Sequence, residues 1–302
     1  MSNDAARLMR LASVASMSVA VILIGAKTAA WLVTESVSML SSLVDSGLDF
    51  VASLVTFIAI RQALVPADAD HRFGHGKAEA LAGLAQAGFI AASGSGLLLT
   101  VGDRLLHPHR IHHELVGAAV SALAIVLTLG LVAFQSHVVR RSGSIAIGAD
   151  RAHYLTDVVS NLAVGAALVV SGRFDLPALD AGVAALVALY LLHGAWRVGR
   201  GSLDVLMDRE LPDADRLRII DLLHAHPQVR GFHDLRTRSS GLTKFIQLHI
   251  ELDPALSFVG AHAIGDSIEA EIEMAFPGAE IILHVDPLGV DERRTPDPER
   301  AP

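Results

Sequence analysis

Cysteine is absent from the 302 residues, which excludes disulfides, thiolate metal sites, iron–sulfur clusters and cysteine nucleophiles. Any metal held by this chain is held by His, Asp, Glu or water. Charge is scarce as well: Asp, Glu, Lys and Arg make up 19% of the residues, against about 25% in ordinary soluble domains. There is no basic excess, the net charge being −8, so the basic face required of a nucleic-acid-binding protein is missing. Two catalytic signatures are also missing. The stretch Gly74-His75-Gly76-Lys77 lacks the G-x-x-x-x-G-K-[ST] spacing of a phosphate loop, with Ala78 after the lysine, and there is no H-E-x-x-H. No internal repeat is evident.

What is present is apolar sequence. Hydrophobic residues make up 52% of the chain, and the mean hydropathy is +0.47. Six apolar blocks, at about 11–34, 36–64, 80–102, 115–139, 143–171 and 176–198, each reach the ~20 residues that a spanning helix needs. This excludes a soluble enzyme. The first block outruns the roughly 7–15 residues of a signal-peptide core and is read as a retained helix.

The spans and the tail carry charge differently. Through Leu206 there are 14 acidic and 14 basic residues, whereas 207–302 holds 18 acidic and 10 basic ones. Basic residues cluster before the first span (Arg7, Arg10), between the second and third (Arg61, Arg72, Lys77), between the fourth and fifth (Arg140, Arg141) and after the sixth (Arg197, Arg200, Arg209). The opposite loops offer mainly Arg104, Arg110 and Arg173. Positive charge stays inside, so both termini and the acidic tail are expected in the cytoplasm.

In the tail, Ile246, Leu248, Ile250 and Leu252 alternate with Gln247, His249 and Glu251, the pattern of a half-buried strand. A helix is expected over 212–225 with Leu217, Ile220 and Leu223 on one stripe, and another over 262–275 with Ile264, Ile268 and Ile272. Strands at about 230–239, turning at Gly241, and 280–286 complete an α+β domain in the order αββαβ. The expected organisation is a six-helix transmembrane domain at 1–207, including a cytoplasmic loop at 65–77, then an α+β domain at 208–290 and a disordered end at 291–302.

Asp45 and Asp49 lie within the second span, on one helix face at a spacing of four. An aspartate at the centre of a spanning helix costs about 2.5–3.5 kcal/mol on insertion scales, and no span offers these two a cationic partner except Lys27. The fifth span supplies a matching pair, His153 and Asp157. Asp45 lies about 14 Å from the outer end of its span and His153 about 15 Å from the inner end of its own, at the helical rise per residue. The two pairs therefore meet near mid-bilayer, giving one imidazole and three carboxylates, a donor set suited to tetrahedral Zn²⁺.

Two further clusters have metal-ligand character. Asp68, His71 and His75 fall in the loop, with Asp70 competing for the place of Asp68. In the tail, His233, His249, His262, His284 and Asp286 gather on the polar side of the sheet, His262 opening the second helix. His284 and Asp286 share a strand face opposite Ile281, Leu283 and Val285. His107, His109, His112 and His113 form an external loop cluster to which no role is assigned.

Six spans, Asp-x-x-x-Asp in the second, His-x-x-x-Asp in the fifth and an acidic α+β tail resemble the cation diffusion facilitators, in particular their bacterial zinc and iron efflux type. The stretches DADHRFGHGKAE (68–79), LMDRELP (206–212), HDLRTR (233–238) and FIQLH (245–249) carry the resemblance, which runs from about residue 10 to 290. It implies a homodimer in the bacterial inner membrane that exchanges cytoplasmic Zn²⁺ for external protons by alternating access, a secondary transporter and not an enzyme. Cd²⁺, Fe²⁺, Co²⁺ and Mn²⁺ are alternative cargoes. By resemblance, Asp45, Asp49, His153 and Asp157 form the transport site, and Asp68, His71 and His75 the loop site. His233, His249, His262, His284 and Asp286 form a binuclear, regulatory site in a metallochaperone-like tail domain, with Asp286 bridging. Lys77 and Asp208 correspond to a salt bridge that locks the dimer. Val285 departs from the pattern, standing where close relatives tend to have Gln. An intramembrane metalloenzyme would need the absent H-E-x-x-H, and a sensor that does not transport would leave the mid-membrane quartet without a purpose.

Overall fold

The computed structural model describes residues 2–35, 37–106, 115–174 and 177–289. The histidines at 107, 109, 112 and 113 and the expected disordered end at 291–302 lie outside the described residues. The described residues between 3 and 206 form one compact unit, and those from 207 to 289 form another.

Among the described residues the first unit is six long helices: α1 (Ser2–Thr34), α2 (Val37–Ala63), α3 (Ala78–Leu106), α4 (Leu115–Ser142), α5 (Ile145–Phe174) and α6 (Pro177–Leu206). Five of them are long and apolar enough to cross a membrane among the described residues, over Asp4–Thr34, Met39–Ala63, Ala78–Leu99, Ala119–Ser142 and Gly182–Leu206. The sixth, α5, carries Asp150, Arg151 and Asp157 in its first half. In lipid only internal backbone bonding is available, so each block closes as a helix along its whole length.

Small residues bring α3 and α6, the most extensively packed pair, together. A Cβ added at Gly83 would lie 2.2 Å from the Ser202 hydroxyl, and one at Gly94 would lie 3.2 Å from Leu191 and 3.3 Å from the Ala188 carbonyl. Close backbone approach of this kind is how helices associate where no hydrophobic effect separates them from lipid.

The second unit contains α7 (Asp213–Ala225), β1 (Gly231–Ser240), β2 (Thr243–Leu252), α8 (Phe258–Ala275) and β3 (Glu280–Pro287). The sheet order is β1-β2-β3, with β1 antiparallel and β3 parallel to β2. The core joins Ile219 and Leu223 of α7, the alternating Ile246, Leu248, Ile250 and Leu252 of β2, and Ile264, Ile268 and Ile272 of α8. Both helices thus lie on the apolar face, and the polar face of β2 is left for other work.

Two sequence expectations need correction. Leu217 is 58% exposed, because the buried stripe of α7 runs through Ile219, Leu222 and Leu223 instead. And α8 begins at Phe258, where the Ser257 hydroxyl accepts the Gly260 N–H at 3.1 Å, a conventional N-cap. His262 therefore sits in the second turn and does not open the helix.

The α3–α6 contact is testable. Gly83→Ala forces the Ser202 hydroxyl off its 3.0 Å bond to the Val198 carbonyl, and is expected to cost about 1–3 kcal/mol as an overpacked contact. Adding Ser202→Gly is expected to recover most of that loss, measured as thermal stability of the detergent-solubilised protein.

Candidate metal centres

Three groups of ligand-type side chains converge among the described residues. The first lies inside the helical unit. Asp49 on α2 and His153 and Asp157 on α5 offer ligand atoms within 4.8 Å of one another. His153 Nε2 stands 3.3 Å from Asp49 Oδ1 and 3.6 Å from Asp157 Oδ2. The imidazole is buried, at 4% side-chain exposure, and the two carboxylates are partly so. Asp157 Oδ2 and His153 Nδ1 are buried without a hydrogen-bond partner. A buried, unpartnered carboxylate oxygen beside an imidazole nitrogen calls for a positive ligand. Asp45, one turn along α2, is exposed and stands outside this trio.

A fourth intramembrane carboxylate escaped the sequence reading. Asp150, completely buried, accepts the Ser16 hydroxyl at 2.6 Å and the Gln135 amide at 2.7 Å on Oδ2, and the Gln86 amide at 3.1 Å on Oδ1. The Gln86 amide also donates to the Ala52 carbonyl and to Thr56. Asp150 thereby ties α5 to α1, α3 and α4, and through Gln86 to α2. Its place three residues before His153, on the same helix face, was the available signal. Glu79 on α3 is likewise buried and accepts the Ser144 hydroxyl.

The second group is in the loop between α2 and α3. Asp68 Oδ1 accepts the backbone N–H groups of His71 at 2.6 Å and Asp70 at 3.0 Å. His71 Nδ1 and His75 Nε2 each lie 3.4 Å from the Asp68 carboxylate. Gly74, at φ +75°, makes the reversal that lets His75 fold back, a conformation that costs glycine little. Of the two competing aspartates, Asp68 is in the cluster and Asp70 is not. The His71 N–H, and then that of Asp70, hold the Asp68 carboxyl below the ordinary aspartate range.

The third group lies on the polar face of the tail sheet. Strand register sets His233, His249 and His284 side by side, His233 opposite His249 and His249 opposite His284, with ring centroids 4.9 and 4.8 Å apart. Asp286, one rung on from His284 along the same strand face, reaches all three. Its Oδ2 is 2.9 Å from His249 Nδ1 and 3.4 Å from His233 Nε2, and its Oδ1 is 3.1 Å from His284 Nε2. A β-bulge directly after His233, with Asp234 at φ +50°, interrupts the pairing, which resumes at Arg236 opposite Gln247, and re-aims the strand.

Glu251, two residues from His249, brings Oε1 to 3.2 Å from His233 Nδ1. It was visible as a polar-face residue but was not counted as a ligand. His262 is exposed, stands 3.6 Å from Asp266 and lines a pocket with Asp286 and Val285. The Val285 side chain packs against the apolar core, where one methyl would meet a Cβ at Gly265 at 3.5 Å. Lys77 donates to the Leu206 carbonyl at 3.3 Å, and Asp208 Oδ1 lies 3.5 Å from Arg238 Nη1.

Residues 13–207 match the cation efflux transmembrane domain and residues 211–288 the cytoplasmic domain of cation efflux proteins. The chain is 45% identical over 293 residues to the cation-efflux pump FieF of Cronobacter sakazakii, covering 97% of both. It is 46% identical over 282 residues to FieF of Shewanella oneidensis, covering 93% of this chain and 95% of that one. Among solved structures, the metal-bound C-terminal domain of the CzcD transporter from Thermotoga maritima is similar at 30% identity, over 26% of this chain and 93% of that one, with a TM-score of 0.25.

The downward shift at Asp68 has a direct check. The carboxylate is expected to remain ionised as pH falls through about 3.9, the reference value for aspartate. A ¹³C-carboxyl titration of the metal-free protein should therefore place its midpoint lower, and a midpoint at or above the reference would contradict the backbone contacts.

Proposed function

The chain belongs to the cation efflux family, the cation diffusion facilitators, and from that premise we propose that it exports Zn²⁺ from the cytoplasm in exchange for external protons. The observation that carries this reading is the meeting of Asp49, His153 and Asp157 inside the helical unit. Asp45 completes the cargo site from one turn away. Cd²⁺, Fe²⁺, Co²⁺ and Mn²⁺ remain chemically acceptable, since affinity order alone does not set selectivity.

Proton coupling follows from energetics. Moving a divalent ion out against 100 mV costs about 4.6 kcal/mol, and the sequence carries no nucleotide-binding loop to meet it. Imidazole and carboxylate bind metal only when deprotonated, so metal and protons compete for the same atoms. A site that opens alternately to the two sides then carries one species out and the other in. Imidazole is the ligand type whose unperturbed titration lies nearest physiological pH, and His153 is assigned the proton.

The protein works as a homodimer of the bacterial inner membrane with both termini cytoplasmic. Lys77 and Asp208 are assigned to the dimer contact. Asp68, His71 and His75 bind metal in the loop. His233, His249, His262, His284 and Asp286 bind it on the sheet, and Asp286 suits a bridging role because both its oxygens face histidines. The acidic tails of two protomers repel one another. Cytoplasmic zinc on the sheet offsets that charge, draws the tails together and so reports metal level to the helices.

The test is Zn²⁺ flux in proteoliposomes with and without an imposed pH gradient, comparing wild type with Asp49→Ala. Flux that follows the gradient and falls at least a hundredfold in the variant is expected. Zinc binding without flux in either protein would indicate a sensor.

A further inference from the structure

Lys27, the intramembrane cation noted in the sequence, has no part in the site as proposed. It is half-buried on α1, and its ammonium donates to the Ser46 hydroxyl at 2.6 Å and to the Ser42 carbonyl at 3.0 Å, both on α2. Ser42, Asp45, Ser46 and Asp49 recur at spacings of three and four, so the ammonium is held on the helix face that carries both carboxylates. A hydroxyl and a carbonyl hold it, on residues three places before Asp49 and Asp45 respectively, so the charge stands about one turn from each carboxylate along α2. Those two hydrogen bonds alone do not call for a charge, because a neutral donor would make them. A cation at such a depth costs about 2.5–3.5 kcal/mol on insertion scales, so its charge must itself be of use.

We infer that Lys27 is the tethered counter-charge of the membrane metal site, weakening the hold on a divalent cargo enough for the cargo to leave. The inference rests on Asp45, Asp49, His153 and Asp157 being the transport site. With a neutral imidazole, three carboxylates and a divalent ion leave one negative charge, and the ammonium cancels it. The loaded site is then neutral in a medium where net charge is costly. Without the ammonium, the loaded site is anionic and the cargo is held more tightly. Transport needs binding strong enough to load and weak enough to release, and a fixed positive charge one helical turn away sets that balance without occupying a ligand position.

The experiment is initial-rate Zn²⁺ uptake into proteoliposomes by Lys27→Met, Lys27→Arg and Ser46→Ala, read as separate changes in KM and kcat. Removing the charge in Lys27→Met is expected to lower KM about tenfold, as loss of a nearby like charge in a low-dielectric site requires, and to lower kcat as release slows. Lys27→Arg, which keeps the charge, is expected to stay within about threefold of wild type on the same reasoning. Ser46→Ala frees the ammonium to compete for the carboxylates and is expected to raise KM. Opposite movements of KM in two variants that break the same α1–α2 tie are not produced by loss of packing. A KM in Lys27→Met that is unchanged or raised, with flux still dependent on Asp49, would overturn the counter-charge alone. Flux that survives Asp49→Ala would remove the transport-site reading on which it rests. Should Lys27→Met fail to reconstitute as a folded protein, Ser46→Ala decides: a raised KM supports the inference, and an unchanged or lowered one overturns it.

Discussion

A carboxylate inside a bilayer must be neutralised, hydrogen-bonded or put to use, and the helical unit is arranged around that constraint. Asp150 and the pair Asp49–Asp157 show its two solutions. Asp150 is surrounded by neutral donors from α1, α3 and α4, and its business is to hold helices together. Asp49 and Asp157 share one imidazole and leave a buried oxygen of Asp157 without a hydrogen-bond partner. The difference in saturation, more than the presence of acid, separates a structural carboxylate from one proposed to receive a cation. Asp150 and His153 are one turn apart on α5, so the same helix segment that is pinned to its neighbours also presents the proposed cargo ligands.

The tail solves a softer problem by register. A strand with Ile246, Leu248, Ile250 and Leu252 committed to the core has no freedom over where His249 points. Pairing β1 and β3 to it then fixes His233 and His284 in the same row. The core that folds the tail is thus also what assembles its proposed metal ligands, and Asp286 enters as the residue two beyond His284 on the same face.

Much of this was legible in the sequence, and the failures have identifiable causes. The six long helices, the i, i+4 spacing of His153 and Asp157 and the alternation of β2 are local patterns, and local patterns survive without knowledge of the partner. Asp150 was missed because its donors, Ser16, Gln86 and Gln135, are scattered over three other helices and only packing brings them together. Glu251 was seen on the polar face, but its nearness to His233 depends on cross-strand pairing that spacing within one strand does not reveal. Leu217 misled because α7 presents apolar residues on more than one side, and burial is decided by where β2 and α8 lie. Asp45 and Asp49 are equivalent by spacing, yet only Asp49 reaches the imidazole, since distance along α2 counts as much as face.

The most direct measurement is zinc-edge anomalous scattering from crystals of the full chain saturated with Zn²⁺. A peak is expected between α2 and α5, at about 2.0–2.2 Å from His153 Nε2 and from oxygens of Asp49 and Asp157. Anomalous density confined to the loop and the sheet, with none between those helices, would contradict the assignment of the membrane site.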